Sequence, residues 1–213
     1  MSKIEYIKPT DIEDRSFEII DEELKARGIV LDPKKEPIIK RAIHTTADFD
    51  YVDTLKFSEN AVDIAIDLLK KGANIVTDTT MAFSGVNKTS LGKLGGECIC
   101  YMNDPDINYA ALDLGVTRAS LSMKRASKLE GPLIYAIGNA PTALITLHEL
   151  MQTKNYRPDF IIGVPVGFVN VEASKELFLN SDIPYIINKG RKGGSNVAAA
   201  ICNALIYSIT KAK

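Results

Sequence analysis

The groups in this chain best suited to moving a proton are its two histidines, His44 and His148. His44 follows the apolar run Ile38, Ile39, Ala42 and Ile43 but lies off that face when the residues are wound at helical pitch. Two readings fit it: a surface imidazole favoured by the helix C-terminal dipole, or a proton donor at the rim of a cleft. His148 falls three and four residues after Ile145 and Leu144 in an apolar helical stretch, which suits a half-buried structural role. Cys98 and Cys100 stand two apart on a strand-like segment, in poor geometry for a bridge. With Cys202, and no further ligands nearby, they read as small core residues and not as metal ligands.

Four loops could grip a charged ligand. Asp78-Thr79-Thr80 ends a strand and resembles an aspartate nucleophile of phosphohydrolases. The second acid such an enzyme needs two residues on is Thr80, so a capping or hydrogen-bonding acid is the other reading. Gly85 to Gly92, with Asn87 and Lys88, reads as a flexible turn carrying a cation. Thr117-Arg118 opens a helix, where the guanidinium could fork onto a carboxylate or stay solvated. Asn188 to Ser195 offers Lys189, Arg191 and Lys192, a nest of N–H groups permitted by Gly193 and Gly194, and Ser195 as helix cap. It is no Walker A loop, and no G-x-G-x-x-G follows a strand, so a nicotinamide or flavin has little support.

These loops need a scaffold, and Leu133 to Leu144 is its hub. The stretch reads as a buried strand, Gly138, then a helix start with Asn139 as N-cap and Pro141 in the first turn. Such a junction leaves backbone N–H groups free at the carboxyl edge of a sheet, where ligands of open α/β sheets sit. Upstream, a capping box at Thr10 to Glu13 predicts a helix to about Arg27, and Asp32-Pro33 predicts a second through Ile43. Then comes a helix from Ser58 to Lys71, followed by strands at Asn74–Asp78, Glu97–Met102, Leu133–Ile137, Phe160–Val164 and Tyr185–Asn188. Helices at Ile107–Leu114, Ala119–Leu129, Thr142–Met151, Val171–Leu179 and Ser195–Ile209 separate most of them.

The alternation predicts an α/β fold: three layers, doubly wound, with a mainly parallel sheet of about five strands. It forms one domain over residues 1–213, with N-terminal helices 10–45 packed on an α/β core 58–210. A flavodoxin-like strand order would put the switch point between the first and third strands, bringing Asp78 to Met81 beside Gly138 to Ala140.

Composition narrows the partners. Twenty-six Lys and Arg balance 27 Asp and Glu, a net charge of −1, so nothing global favours nucleic acid and any anion site is local. The first five residues hold no apolar leader region, and Val197 to Ile209 is too short to cross a bilayer. The expected location is the cytoplasm, without a membrane.

Five segments in order carry a resemblance. They are Glu13-Asp14-Arg15-Ser16-Phe17-Glu18-Ile19-Ile20, Ile43-His44, Ala136 to Leu144, Gly163-Val164-Pro165-Val166-Gly167-Phe168-Val169, and Gly190-Arg191-Lys192-Gly193-Gly194-Ser195. Together the chain resembles the precorrin-8X methylmutase family of cobalamin biosynthesis, including its cobalt-precorrin-8 branch. The resemblance implies an isomerase that moves a methyl group from C-11 to C-12 of a tetrapyrrole, giving hydrogenobyrinate or cobyrinate. It makes His44 the proton donor and acceptor. Ser16 with Arg15, Thr117 and Arg118 become substrate contacts. The loops at Asp78, Asn87-Lys88, Asn139 and Arg191, Gly193, Gly194, Ser195 would hold carboxylate arms. It also implies a homodimer with sites near the subunit interface and no cofactor, since any cobalt arrives within the substrate. Two other functions stay open: a non-catalytic corrinoid carrier, and a Mg²⁺-dependent phosphohydrolase working through Asp78.

Overall fold

The structure, a computed structural model, describes residues 4–154 and 156–211. Part of the N-terminal segment read above as lacking a leader therefore lies outside the described residues. In chain order the elements are α1 (Ile12–Ala26), α2 (Glu36–Thr46), α3 (Tyr51–Thr54), β1 (Leu55–Phe57), α4 (Ala61–Lys70) and β2 (Asn74–Thr77). There follow α5 (Thr80–Gly85), α6 (Lys88–Gly92), β3 (Cys98–Ile99), α7 (Pro105–Leu114), α8 (Arg118–Ala126) and β4 (Leu133–Ile137). The chain closes with α9 (Pro141–Lys154), β5 (Phe160–Gly163), α10 (Val171–Leu179), β6 (Tyr185–Asn188) and α11 (Ser195–Thr210).

The sheet order is β1-β6-β5-β4-β2-β3. The five expected strands are all parallel, and their order is the flavodoxin-like one, with β2 and β4 side by side at the switch point. A sixth strand, β1, pairs antiparallel with β6 at the far edge. Three residues are too few for a period-2 pattern to register, and only the partner β6 makes Leu55-Lys56-Phe57 a strand. Successive strand residues face opposite layers. Ile75, Ile134, Ala136, Ile162 and Ile186 pack beneath α1, α2, α4 and α11, while Val76, Tyr135, Ile137, Ile161 and Ile187 pack against α8, α9 and α10. Among the described residues no helix is long and apolar enough to cross a membrane.

Several boundaries differ from expectation for local reasons. The capping box does not form: Pro9–Asp11 is a 3-10 turn, and the Thr10 hydroxyl donates to the neighbouring Asp11 carboxylate at 2.7 Å. The second helix starts at Glu36 with Pro37 in its first turn, because the Asp32 carboxylate accepts from the Lys34 N–H (2.9 Å) and holds a turn instead. The Ser58 hydroxyl is drawn to the sheet, accepting from the Tyr185 N–H at 2.9 Å, so α4 begins three residues later. The supposed flexible turn at Gly85 to Gly92 lies across two short helices. Thr79 caps α5 by accepting from Ala82 N–H, and Asn87 caps α6 by accepting from Ser90 N–H. The strand around Cys98 shrinks to two residues.

Candidate functional site

The carboxyl edge of the sheet gathers the ends of β2, β4, β5 and β6. At its centre the Asp78 carboxylate accepts three backbone N–H bonds, from Gly138 (2.8 Å), Asn139 (2.8 Å) and Ala140 (2.6 Å). Burial pushes its acid up from the ordinary range, and the three donors pull it back. The residue is 0% exposed, and its side chain, not Asn139, satisfies the free donors ahead of α9. Of the two readings of Asp78, the hydrogen-bonding acid is the one this geometry matches. The expectation that Asn139 caps α9 is corrected, since it is one residue too early for a helix that begins at Pro141.

Beside it, β4 runs close under the start of α11. A Cβ on Gly138 would lie 2.6 Å from the Ser195 Cα, so only glycine permits this approach. The N-cap of α11 is Gly194; Ser195 lies inside the helix, where its hydroxyl hydrogen-bonds the Thr79 hydroxyl at 2.8 Å. Gly193 is seated against Val164, whose carbonyl oxygen would stand 2.0 Å from an added Cβ. The loop 189–194 is thus pinned between β5, β6 and α11.

Helix α2 crosses α11 and delivers His44 to the same edge. Its neighbour Thr45 meets Asn196, in the first turn of α11, through the carbonyl (3.3 Å) and the hydroxyl (3.4 Å). His44 is exposed, and one face of its imidazole stacks on Phe17 of α1, centroids 5.2 Å apart. The Arg41 guanidinium lies over the Phe17 and Tyr207 rings, at 5.4 and 4.8 Å. Phe17, which stands next to Ser16 in the first matching segment, supplies the ring under the imidazole, a contact the sequence did not assign to it. Ser16 is half-buried, and its hydroxyl donates to the Ile12 carbonyl (2.8 Å), leaving oxygen lone pairs free to accept. The loop is clasped to the end of α2 by Lys192, which pairs with Asp48 and Asp50; that cation holds the Asp48 carboxyl below its usual range.

Thr117 and Arg118 reach the edge from the opposite layer. Thr117 caps α8 and its hydroxyl meets that of Thr142 in the first turn of α9, at 2.8 Å. Arg118 donates to the Met102 carbonyl and the Asn108 side chain, both at 3.2 Å, and with Ala111, Leu112 and Val116 lines a hollow of about 450 Å³. Arg191 is exposed, paired with Glu172 (2.8 Å) and set over the Phe168 ring. Three other expected contacts are committed elsewhere. Arg15 is ringed by Glu5, Glu18 and Glu22. The Asn87 side chain serves α6 and Tyr207, and the Lys88 ammonium sits on the Phe83 carbonyl (2.7 Å).

The edge therefore combines a half-stacked imidazole, a pinned glycine loop and a guanidinium with apolar side chains left in water. Met81, Phe168 and Val169 are 67%, 83% and 78% exposed. Large apolar side chains left in water beside polar groups mark a surface for contact with a ligand or partner.

Comparison with known proteins shows which family the chain belongs to. The sequence profile described as precorrin-8X methylmutase matches residues 11–208. A cobalt-precorrin-8 methylmutase of Salmonella typhimurium is 46% identical, over 96% of this chain and 98% of its own. A precorrin-8X methylmutase of Pseudomonas aeruginosa is 38% identical over 95% and 97%. The crystal structure of precorrin-8X methyl mutase from Thermus thermophilus aligns with a TM-score of 0.81 at 35% identity, covering 92% of this chain and 96% of that one. Matched in sequence and in fold along nearly its whole length, the chain belongs to the precorrin-8X methylmutase family.

Proposed function

We propose that this isomerase moves the C-11 methyl of a precorrin-8-type tetrapyrrole to C-12, with His44 as the proton donor and acceptor. The observation that carries the reading is the His44 imidazole, stacked on one side by Phe17 and exposed at the edge that also holds the glycine loop. A proton given to a ring nitrogen draws electron density from the conjugated macrocycle and loosens the C-11–methyl bond. As that bond breaks and the C-12–methyl bond forms, the same proton returns to the imidazole. Atoms and charge balance without a co-reactant.

Arg118 and the 189–195 loop hold carboxylate arms, and Ser16 contributes a hydroxyl acceptor beside Phe17. The cobalt-bearing substrate is our first choice, since relatives at 46% and 40% identity carry the name cobalt-precorrin-8 methylmutase. We place the reaction in the cytoplasm, in keeping with three unpaired cysteines. We also propose a homodimer: Tyr109, Leu112 and Leu114 of α7 stand exposed beside Arg118, an apolar face that a second copy would cover.

The test is to mix the purified protein separately with cobalt-bearing and metal-free precorrin-8 and follow each absorption spectrum. Conversion to the cobyrinate or hydrogenobyrinate spectrum supports the reading and names the substrate. Stoichiometric binding with no change of chromophore would make the protein a carrier.

A further inference from the structure

We propose that Lys175 is a positioning residue: from beneath the 189–194 loop it turns two carbonyls inward, so that the Arg191 and Gly193 N–H groups face out to receive a substrate carboxylate. The proposal deepens the methylmutase reading above and rests on it for the class of ligand.

Lys175 lies on α10 and is 1% exposed, a rare state for a lysine. Its Nζ donates to the carbonyl of Gly190 at 2.6 Å and to that of Lys192 at 2.9 Å. The Lys192 carbonyl also accepts from the Asn188 side-chain amide at 2.8 Å, and Asn188 is in turn held by the Thr54 hydroxyl at 2.7 Å. No peptide bond among the described residues is cis. In a trans peptide the C=O and the following N–H point in opposite directions. With the 190 and 192 carbonyls converging on the ammonium, the N–H groups of Arg191 and Gly193 must point away from it.

Several of the loop's other backbone groups are occupied. Lys189 N–H donates to Thr54, Gly194 N–H to Val164, and the Arg191 carbonyl accepts from Gly167. The Gly190 and Lys192 N–H groups, like those of Arg191 and Gly193, have no protein acceptor among the described residues. The Arg191 and Gly193 donors, on either side of Lys192 and both turned from the ammonium, can receive one anion. The side-chain cations that make this loop look basic are already neutralised, Arg191 by Glu172 and Lys192 by Asp48 and Asp50. What remains for a carboxylate is backbone, polarised from behind by a buried charge. Burial lowers the Lys175 ammonium to about 8 and Glu172 works the other way, so it carries its proton at neutral pH.

The test uses K175M, which keeps the aliphatic stem and removes the ammonium, alongside K175R, which keeps donors. For K175M we expect the Kd for the corrinoid product, and the KM, to rise roughly ten- to fifty-fold, with kcat at saturation within about three-fold of wild type. K175R should recover part of the loss. Should K175M fail to fold, R191P and R191A serve instead. Both lose the guanidinium but only R191P loses the N–H, so R191P should bind product about five-fold more weakly than R191A. A folded K175M with wild-type Kd, or R191P equal to R191A, overturns the proposal. Wild-type protein that neither binds nor rearranges a tetrapyrrole overturns the parent reading instead; weak product binding by K175M beside normal binding by H44A keeps the two apart.

Discussion

The imidazole of His44 lies over the ring of Phe17, with centroids 5.2 Å apart and planes inclined by 26°. The two residues come from different helices, α2 and α1, so the docking of α1 sets the tilt of the proposed proton donor. Only one face of the imidazole is covered by this stack, and the residue stays exposed at the rim. The contact costs little and orients much: a ring pair of this kind contributes about 1 kcal/mol.

Replacing His44 by alanine should lower kcat by roughly 10²- to 10⁴-fold, the usual contribution of a positioned acid–base group. Because the side chain is exposed, melting temperature and product affinity should stay close to wild type. Turnover by H44A at the wild-type rate on authentic precorrin-8 would remove this residue from the mechanism.

Phe17→Leu keeps most of the bulk that seats α1 and loses the flat surface beneath the imidazole. We expect less than about 1.5 kcal/mol of destabilisation, together with a fall in kcat of about ten-fold. Equal kcat in F17L and wild type would show that the stack does not orient His44.

Asp78 is a structural anchor, and its substitution should be read in stability. Asparagine keeps one acceptor oxygen and sets an amide donor against backbone N–H groups already aimed at the site. The cost should be about 3 kcal/mol, or a melting temperature lowered by about 10 °C in a chain of this size. Thermal unfolding of D78N followed by circular dichroism checks this, and an unchanged midpoint would refute it.

Stability against pH carries the mark of Lys175. Its ammonium is lowered by burial to about 8 in the folded chain, against an ordinary lysine value of 10.5. Between those values the unfolded chain binds a proton that the folded chain has released, so this group favours folding increasingly as pH rises from about 8 to 10.5. The gain approaches roughly 2–3 kcal/mol and is absent from K175M. Denaturant titrations of both proteins across that range should diverge in favour of wild type with rising pH; parallel curves would contradict it.

Much of the scaffold is readable along the chain because its causes are local. The runs Leu133–Ile137 and Tyr185–Asn188 are apolar on both faces, as buried parallel strands must be, and Val171–Leu179 alternates at helical pitch. The helical angle of His44 relative to Ile38, Ile39, Ala42 and Ile43 likewise predicts that it stands clear of the core, and it does. The five matching segments identify the family before any coordinate is considered. What sequence alone left undecided are the contacts between residues far apart in it. Asp78 turns inward because β2 and β4 are neighbours, which places three free N–H groups 60 to 62 positions away within hydrogen-bond reach of one carboxylate. Leu55–Phe57 becomes a strand only against β6, and Lys175 becomes a buried cation only because the Gly190 and Lys192 carbonyls close over it. Periodicity and capping act over a single turn or strand, whereas the partner of a buried charge is chosen by the packing of whole layers, so the tertiary structure alone decided which polar residues serve the scaffold and which are left for a ligand.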